Sequence, residues 1–144
     1  MRRSANRVVD VYQDCIVFLL AKAYQKAHAN IKKRLNAYGL TPVQTLVLEA
    51  VVSEEGLSAG DLAGKLVLDS ATLSGVLDRM AEKDWISKKT DPDDKRVLRI
   101  YLTEKAKSLS EDLFREREEA NREILRDLSL EERLLLKRLL RDIR

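Results

Sequence analysis

A one-sided helix followed directly by a β-hairpin is the dominant pattern in this sequence. Residues 70–83 place apolar side chains at Leu73, Val76, Leu77 and Met80, the i, i+3, i+4, i+7 spacing of an amphipathic helix. Residues 86–90 and 97–102 are typical of two short strands, and residues 91–94 (Asp-Pro-Asp-Asp) supply the turn between them. The sequence therefore predicts a helix whose outer face is small and polar, with a hairpin beside it.

Helices are also predicted on both sides of this unit. A first helix is expected over residues 7–36, a second over 42–53, a short third after Ser58, a long fifth over 104–127 and a last one after Ser129. Hydroxyl and carboxylate side chains mark their starts, because such groups accept hydrogen bonds from the free N–H groups of a first helical turn. The third and fourth helices are separated only by residues 67–69, as in a helix-turn-helix. We therefore predict a mainly α fold with a small β-hairpin, a winged helix-turn-helix.

Composition limits the function classes. The 144 residues suit one domain, and no apolar run reaches the roughly 20 residues of a membrane span. The N-terminus has no apolar segment with a cleavage site, and a single cysteine excludes an internal disulfide, so we expect a cytoplasmic protein. The net charge is +3, but residues 58–103 carry eight bases and eight acids. Charge alone therefore does not indicate nucleic acid binding.

The two ends of the chain predict self-association. The last helix is apolar over too wide an arc for one interface, with leucines at positions 134–136, 139 and 140. The first helix is longer than packing on so small a neighbouring bundle requires. We predict a single chain, 1–144, in which residues 7–40 and 104–144 form a homodimer and residues 41–103 form a DNA-binding lobe. Two-fold symmetry suits a palindromic double-stranded DNA site.

The order of elements and several motifs resemble the MarR family of transcription regulators. The resemblance is carried by residues 70–80, by Asp84-Trp85-Ile86 and by the hairpin, where Asp94 and Arg96 followed by Leu102-Thr103 meet the family's wing pattern. It implies a dimeric DNA-binding repressor or activator that is released by a small ligand or an oxidant. Ligands of this family are often phenolic or amphipathic, and they bind between the dimer-forming helices and the DNA-binding lobe.

The candidate DNA contacts lie outside the apolar stripe of the fourth helix and along the hairpin. The helix can enter a major groove, and the hairpin can reach a neighbouring groove or its phosphates. Arg96 has two interpretations: it contacts DNA, or it pairs with Asp69 at the start of the fourth helix and fixes the angle of the wing, which we favour. The candidates are Ser70, Thr72, Ser74, Gly75, Arg79, Lys88, Lys89, Lys95 and Arg96.

Cys15 is a redox candidate only through the family resemblance. Some relatives sense peroxide with a cysteine that directly precedes a Phe-Leu-Leu-like run, whereas here Phe18 follows Cys15 by three residues. A lone cysteine is more often a buried small hydrophobe, which is our expectation here.

Two functions remain open from the sequence. The favoured one is a ligand-responsive, sequence-specific transcription regulator, expected to be a repressor, with a small phenolic or amphipathic effector. The alternative is a winged-helix module that binds protein or RNA without specific DNA readout, which the neutral charge of residues 58–103 supports. An enzyme is not expected, because the sequence has no glycine-rich phosphate loop, nucleophile elbow or paired histidines, and no His/Cys cluster has the spacing of metal ligands.

Overall fold

Side-chain caps set the starts of most helices in the computed structural model, which describes residues 11–143. Thr41 and Ser129 form capping boxes with Gln44 and Glu132, while Ser58 and Thr103 accept from the backbone N–H three residues on. The helices are α1 (Ile16–Leu35), α2 (Pro42–Ser53), α3 (Ala59–Leu66), α4 (Ser70–Glu82), α5 (Glu104–Ile124) and α6 (Leu130–Asp142), and the strands are β1 (Ile86–Thr90) and β2 (Leu98–Leu102).

The mainly α fold with one hairpin is confirmed. The bounds of the terminal elements differ from the prediction: a short 3-10 helix, Val11–Asp14, precedes α1, and α5 ends at Ile124 rather than at residue 127. The predicted start of the first helix, residues 7–10, lies outside the described residues. Within residues 11–143, none of the helices is long and apolar enough to cross a membrane.

One apolar core joins α2, α3, α4 and the hairpin. The buried side of α4 consists of the four predicted residues, and Trp85, three residues after the end of the helix, is only 2% exposed. The Lys105 ammonium lies 4.4 Å from the centre of the Trp85 ring. The winged-helix lobe, residues 41–103, therefore holds α4 from its apolar side and leaves the opposite side open.

The hairpin is attached to the rest of the lobe through β2. β1 and β2 pair antiparallel from Ile86 opposite Leu102 to Thr90 opposite Leu98. The outer edge of β2 pairs with the segment before α3, because the Gly56 N–H donates to the Ile100 carbonyl at 3.0 Å and the Ile100 N–H donates to Leu57 at 2.9 Å. The wing is therefore part of a three-segment sheet, although only two strands are long.

The terminal helices bury little within one protomer. α1 packs on α5, where the Arg34 guanidinium binds the carboxylates of Glu123 at 2.7 Å and Glu116 at 3.4 Å. Leu35 is the only buried residue of α1, and α6 has none.

Candidate DNA-binding surface

The open side of α4 is where the sequence placed the groove-facing residues. Ser70, Thr72, Ser74 and Arg79 are exposed, and Gly75 is half-buried beneath the side chain of Arg79. They lie opposite the apolar stripe, which is fixed in the core of the lobe. This face carries hydroxyls and one cation, and no bulky side chain precedes Arg79 on it.

Asp69 caps α4 and does not anchor the wing. Its Oδ1 accepts from the Thr72 N–H at 2.8 Å, and its Oδ2 accepts from the Thr72 hydroxyl at 2.7 Å. These bonds, the backbone N–H first, lower the pKa of Asp69 below its ordinary value. The cap also uses the only proton of the Thr72 hydroxyl, so this candidate contact is already engaged within the chain.

The predicted pair of Asp69 and Arg96 is wrong. Arg96 binds Asp94, with Nε to Oδ1 at 3.0 Å and Nη2 to Oδ2 at 3.1 Å, and its side chain remains 91% exposed. The physical reason is proximity: Asp94 is two residues away in the same turn, whereas both oxygens of Asp69 are occupied by the cap. Arg96 therefore stands at the surface of the wing with a local counter-ion.

The wing is held by Asp91 and Arg99, which sequence reasoning missed. Asp91 is only 8% exposed and accepts from the N–H groups of Asp93 at 2.8 Å and Asp94 at 3.0 Å. Its other oxygen accepts from Arg99 Nε, and Arg99 Nη1 donates to the Gly56 carbonyl at 3.0 Å. The Arg99 bond, followed by the two backbone bonds, lowers the pKa of Asp91. The turn sequence itself was a signal for the backbone bonds, since Asp side chains often accept from the N–H two residues on.

The basic residues of this surface differ in whether they already interact with another side chain of the protein. Lys88, a predicted contact, binds the Asp78 carboxylate at 2.5 Å, and Lys89 lies 4.9 Å from the centre of the Tyr101 ring. Arg79 and Lys95 are exposed, and neither has a carboxylate within 4.0 Å among residues 11–143. Of the predicted basic contacts, these two retain the most charge for an external anion.

Cys15 is exposed, so the expectation of a buried small hydrophobe is wrong for the single protomer. It sits immediately before α1, and hydrogen bonds from the backbone N–H groups of Phe18 and Val17 lower the pKa of the thiol. The sequence predicted one continuous helix here. In the structure the 3-10 helix ends at Asp14 and α1 begins at Ile16, so Cys15 lies in the break between them.

A cleft of about 460 Å³ lies between α2 and α5, on a different side of the lobe. Its apolar wall includes Leu46, Val52 and Phe114, each about half exposed. The Arg117 guanidinium lies 4.6 Å from the Phe114 ring and binds Glu49 at 2.6 Å. Glu49 Oε1 and Arg117 Nε are nevertheless buried, and neither has a hydrogen-bond partner within the part of the chain that the structure describes, which is uncommon for buried polar atoms. We call this site the α2–α5 cleft.

An open helix face beside a firmly attached hairpin defines a DNA-binding protein of the winged helix-turn-helix class. The MarR family model matches residues 40–98, which include α2, α3, α4 and β1. The chain belongs to the MarR family of transcription regulators.

Relatives and solved structures agree with this assignment. The transcriptional regulator SarZ of Staphylococcus aureus is 32% identical over 102 residues, which cover 70% of this chain and 67% of SarZ. A probable transcriptional regulator from Pseudomonas aeruginosa superposes with a TM-score of 0.87 at 30% identity, covering 92% of this chain and 98% of that one. Bordetella bronchiseptica BpsR, whose DNA binding is regulated by 6-hydroxynicotinic acid, superposes with a TM-score of 0.86 at 26% identity, covering 92% and 94%. SarZ is thus named as a transcriptional regulator, the Pseudomonas aeruginosa protein as a probable one, and BpsR as a protein that binds DNA.

Proposed function

We propose that this protein is a homodimeric repressor that binds a palindromic operator and leaves it when a small effector binds. The observation that carries the proposal is the open face of α4 with the wing beside it. Arg79 on this face and Lys95 on the wing have no carboxylate within 4.0 Å among residues 11–143. In the dimer, two such faces would enter successive major grooves, and the operator would have half-sites about one helical turn apart. Repression would follow from covering a promoter.

The neutral charge of residues 58–103 does not oppose this proposal. Several of its acids are engaged inside the lobe: Asp69 in the cap of α4, Asp78 by Lys88, and Asp91 by Arg99. These three acids are therefore engaged in place, whereas Arg79 and Lys95 have no carboxylate within 4.0 Å among residues 11–143. This distribution favours DNA over the alternative of a protein- or RNA-binding module.

The proposed dimer rests on the terminal helices. No residue of α6 is buried in the protomer. The exposed fractions of its large apolar side chains and of Ile143, which directly follows it, are 44–66% (Leu130, Leu134, Leu135, Leu139, Leu140 and Ile143). A helix of 13 residues without tertiary packing is marginal in water, so α6 needs a covering partner. A second copy of the chain supplies one, because the same apolar surface recurs on it and on the exposed start of α1.

Selection of bound DNA from a random oligonucleotide pool tests the DNA-binding part. A palindrome with half-sites about 10 base pairs apart is expected, together with an affinity that falls steeply as salt rises. Enrichment of no sequence, or binding of RNA with equal affinity, would favour the alternative module. Enrichment of a single half-site bound by one protomer would contradict the dimer.

We further propose that the effector is a small aromatic molecule and that it occupies the α2–α5 cleft. The cleft volume lies in the range of ligand sites, and its wall combines apolar side chains with a few polar groups. Arg117 lines the cleft with its side chain 34% exposed, so its guanidinium could bind the oxygen of a phenol or carboxylate. A ligand there bridges α5 to the lobe, so it can favour a spacing of the two α4 helices that does not fit DNA.

Titration of the protein–DNA complex with a panel of phenols and aromatic carboxylates, including 6-hydroxynicotinic acid, tests this site. An effective compound should raise the melting temperature of the free protein and weaken DNA binding. Phe114→Ala should abolish both responses while it retains DNA affinity without the compound. Val67→Ala, which changes an exposed apolar residue outside the cleft, serves as the control. A full response in Phe114→Ala would exclude the cleft.

A further inference from the structure

The guanidinium of Arg79 rests on the bare backbone of Gly75. A Cβ atom added to Gly75 would lie 3.3 Å from Arg79 Nη1, 3.9 Å from Nη2 and 4.0 Å from Cζ. The two residues are one turn apart, and helical side chains lean toward the N-terminus, so Arg79 extends back along the outer face of α4. The missing side chain at position 75 therefore provides the space in which the guanidinium lies.

Arg79 is the only basic residue of α4. The outer face before it carries the small residues Ser70, Ala71, Ser74 and Gly75, and Asp78 beside it is bound by Lys88. No carboxylate among the described residues lies within salt-bridge distance of Arg79, so its donors are available. Its planar guanidinium is suited to donating two hydrogen bonds to N7 and O6 of guanine in a major groove.

We propose that Arg79 is the base-reading residue of α4, that Gly75 positions it, and that the two together specify one guanine in each half-site. This inference rests on the proposed DNA-binding function and names its specificity determinant. The hydroxyls of Ser70 and Ser74 then serve mainly as phosphate or water contacts. If Arg79 instead binds a phosphate, it adds affinity for DNA without a preference for any base.

Random-pool selection with the full-length protein separates these roles. Wild type should enrich a guanine at one position of each half-site, and Arg79→Met, which preserves length and helix propensity without donors, should lose that preference alone. On fixed operators, replacing the guanine should weaken wild type by roughly 5- to 150-fold and leave Arg79→Met nearly unaffected. Arg79→Ala is a second variant, and far-UV circular dichroism verifies that both fold.

Two further variants complete the experiment. Lys95→Ala removes another uncommitted cation, and it should lower affinity for all sequences without changing the consensus. Gly75→Leu retains Arg79 but fills its resting place, and it should weaken or move the guanine preference.

The outcomes are distinguishable. If Arg79→Met selects the wild-type consensus at uniformly lower affinity, Arg79 is a phosphate contact and the inference is overturned while the proposed function stands. If Gly75→Leu leaves the guanine preference intact, the positioning role of Gly75 is overturned. If wild type enriches no consensus at all, the proposed function itself fails.

Discussion

At the scale of single residues, we expect Lys88 to support DNA binding through Asp78 and not by contacting DNA. Its ammonium binds Asp78, which lies on the outer side of α4 and is the more exposed member of the pair. Without Lys88, that carboxylate would stand unscreened near the DNA phosphates. Such repulsion, at an effective dielectric between water and protein, amounts to about 1–4 kcal/mol at 4 Å.

We therefore expect Lys88→Ala to weaken DNA binding by about tenfold at low salt, an effect of roughly 1.4 kcal/mol. Combining it with Asp78→Ala should restore affinity to within about threefold of wild type, since the carboxylate causes the loss. Fluorescence anisotropy with labelled operator measures both. Asp78→Ala should not rescue Lys95→Ala in the same way. A double variant as weak as Lys88→Ala would show instead that Lys88 contacts DNA directly.

The Asp91 carboxylate makes the stability of the wing depend on acid. Because the folded protein lowers the pKa of Asp91, the ionised form is stabilised by folding. This contribution is complete above the ordinary aspartate pKa, about 3.9, and is lost as the pH falls below it. At neutral pH it is therefore constant.

Asp91→Asn should lower the free energy of unfolding at pH 7, and its deficit against wild type should shrink as the pH falls below about 4. Urea unfolding between pH 2.5 and pH 7 measures the free energy of unfolding of both proteins. Taking the difference between wild type and variant cancels the contributions of the other acids. Asp93→Asn lies in the same turn, but its backbone rather than its carboxylate meets Asp91, so it should parallel wild type. A constant Asp91→Asn deficit down to pH 2.5 would contradict the role of the charge.

The candidate contacts on α4 and the hairpin follow from periodicity, but the wing pairing could not be read from sequence. Arg96 and Arg99 each have three aspartates, Asp91, Asp93 and Asp94, within a few residues. Which ion pairs form depends on the path of the turn and on the side of β2 to which each arginine points. Both are known only from the three-dimensional structure. The same holds for the position of the Arg79 guanidinium over Gly75. The spacing of four residues allows this contact, but the side-chain rotamer of Arg79 decides whether it forms.

At the scale of elements, the turn between α3 and α4 contains a strained residue. Val67 adopts φ 53°, ψ 49°, the left-handed region, and is 90% exposed. This conformation is costly for a β-branched residue, while glycine adopts it readily. The side chain gives little packing in return.

Val67→Gly is therefore expected to stabilise the protein by up to about 1 kcal/mol, since relief of the left-handed strain exceeds the added freedom of the unfolded chain. The melting temperature should rise by a few degrees. Val52→Gly, at an exposed position within α2, should lower it, because glycine disfavours helix. A decrease for Val67→Gly as well would mean that the Val67 side chain is covered in solution.

Helix starts were predicted better than helix ends. Thr41, Ser58, Thr103 and Ser129 each cap as expected, because a cap is a local interaction between a side chain and backbone three residues away. The end of α5 and the break at Cys15 depend on what the neighbouring elements leave room for. Propensity alone therefore made the predicted first and fifth helices too long.

At the scale of the whole molecule, the proposed dimer rests on the apolar surface of α6. Leu135 and Leu139 are one turn apart and about half exposed, so they form a stripe that a second copy would cover. A carboxylate on this stripe would have to be buried unpaired in the dimer.

Leu135→Glu combined with Leu139→Glu should give a monomer in sedimentation velocity, and operator affinity should fall by more than about 100-fold because the half-sites are no longer bound together. Lys137→Glu puts a carboxylate on the polar side of the same helix and should remain dimeric. If the double variant stays dimeric, the interface lies elsewhere. The sequence anticipated this surface from its leucines, but not that α6 would contribute nothing to its own protomer's core.

The bond from Arg99 to the Gly56 carbonyl, with the backbone bonds beside it, fixes β2 to the segment between α2 and α3. We therefore expect the hairpin to move together with the lobe as one rigid body. Under the proposed function, an effector would release DNA by tilting this body and not by unfolding the hairpin. Amide hydrogen exchange along β1 and β2 should accordingly be as slow with inducer as without it, even when the operator has been released.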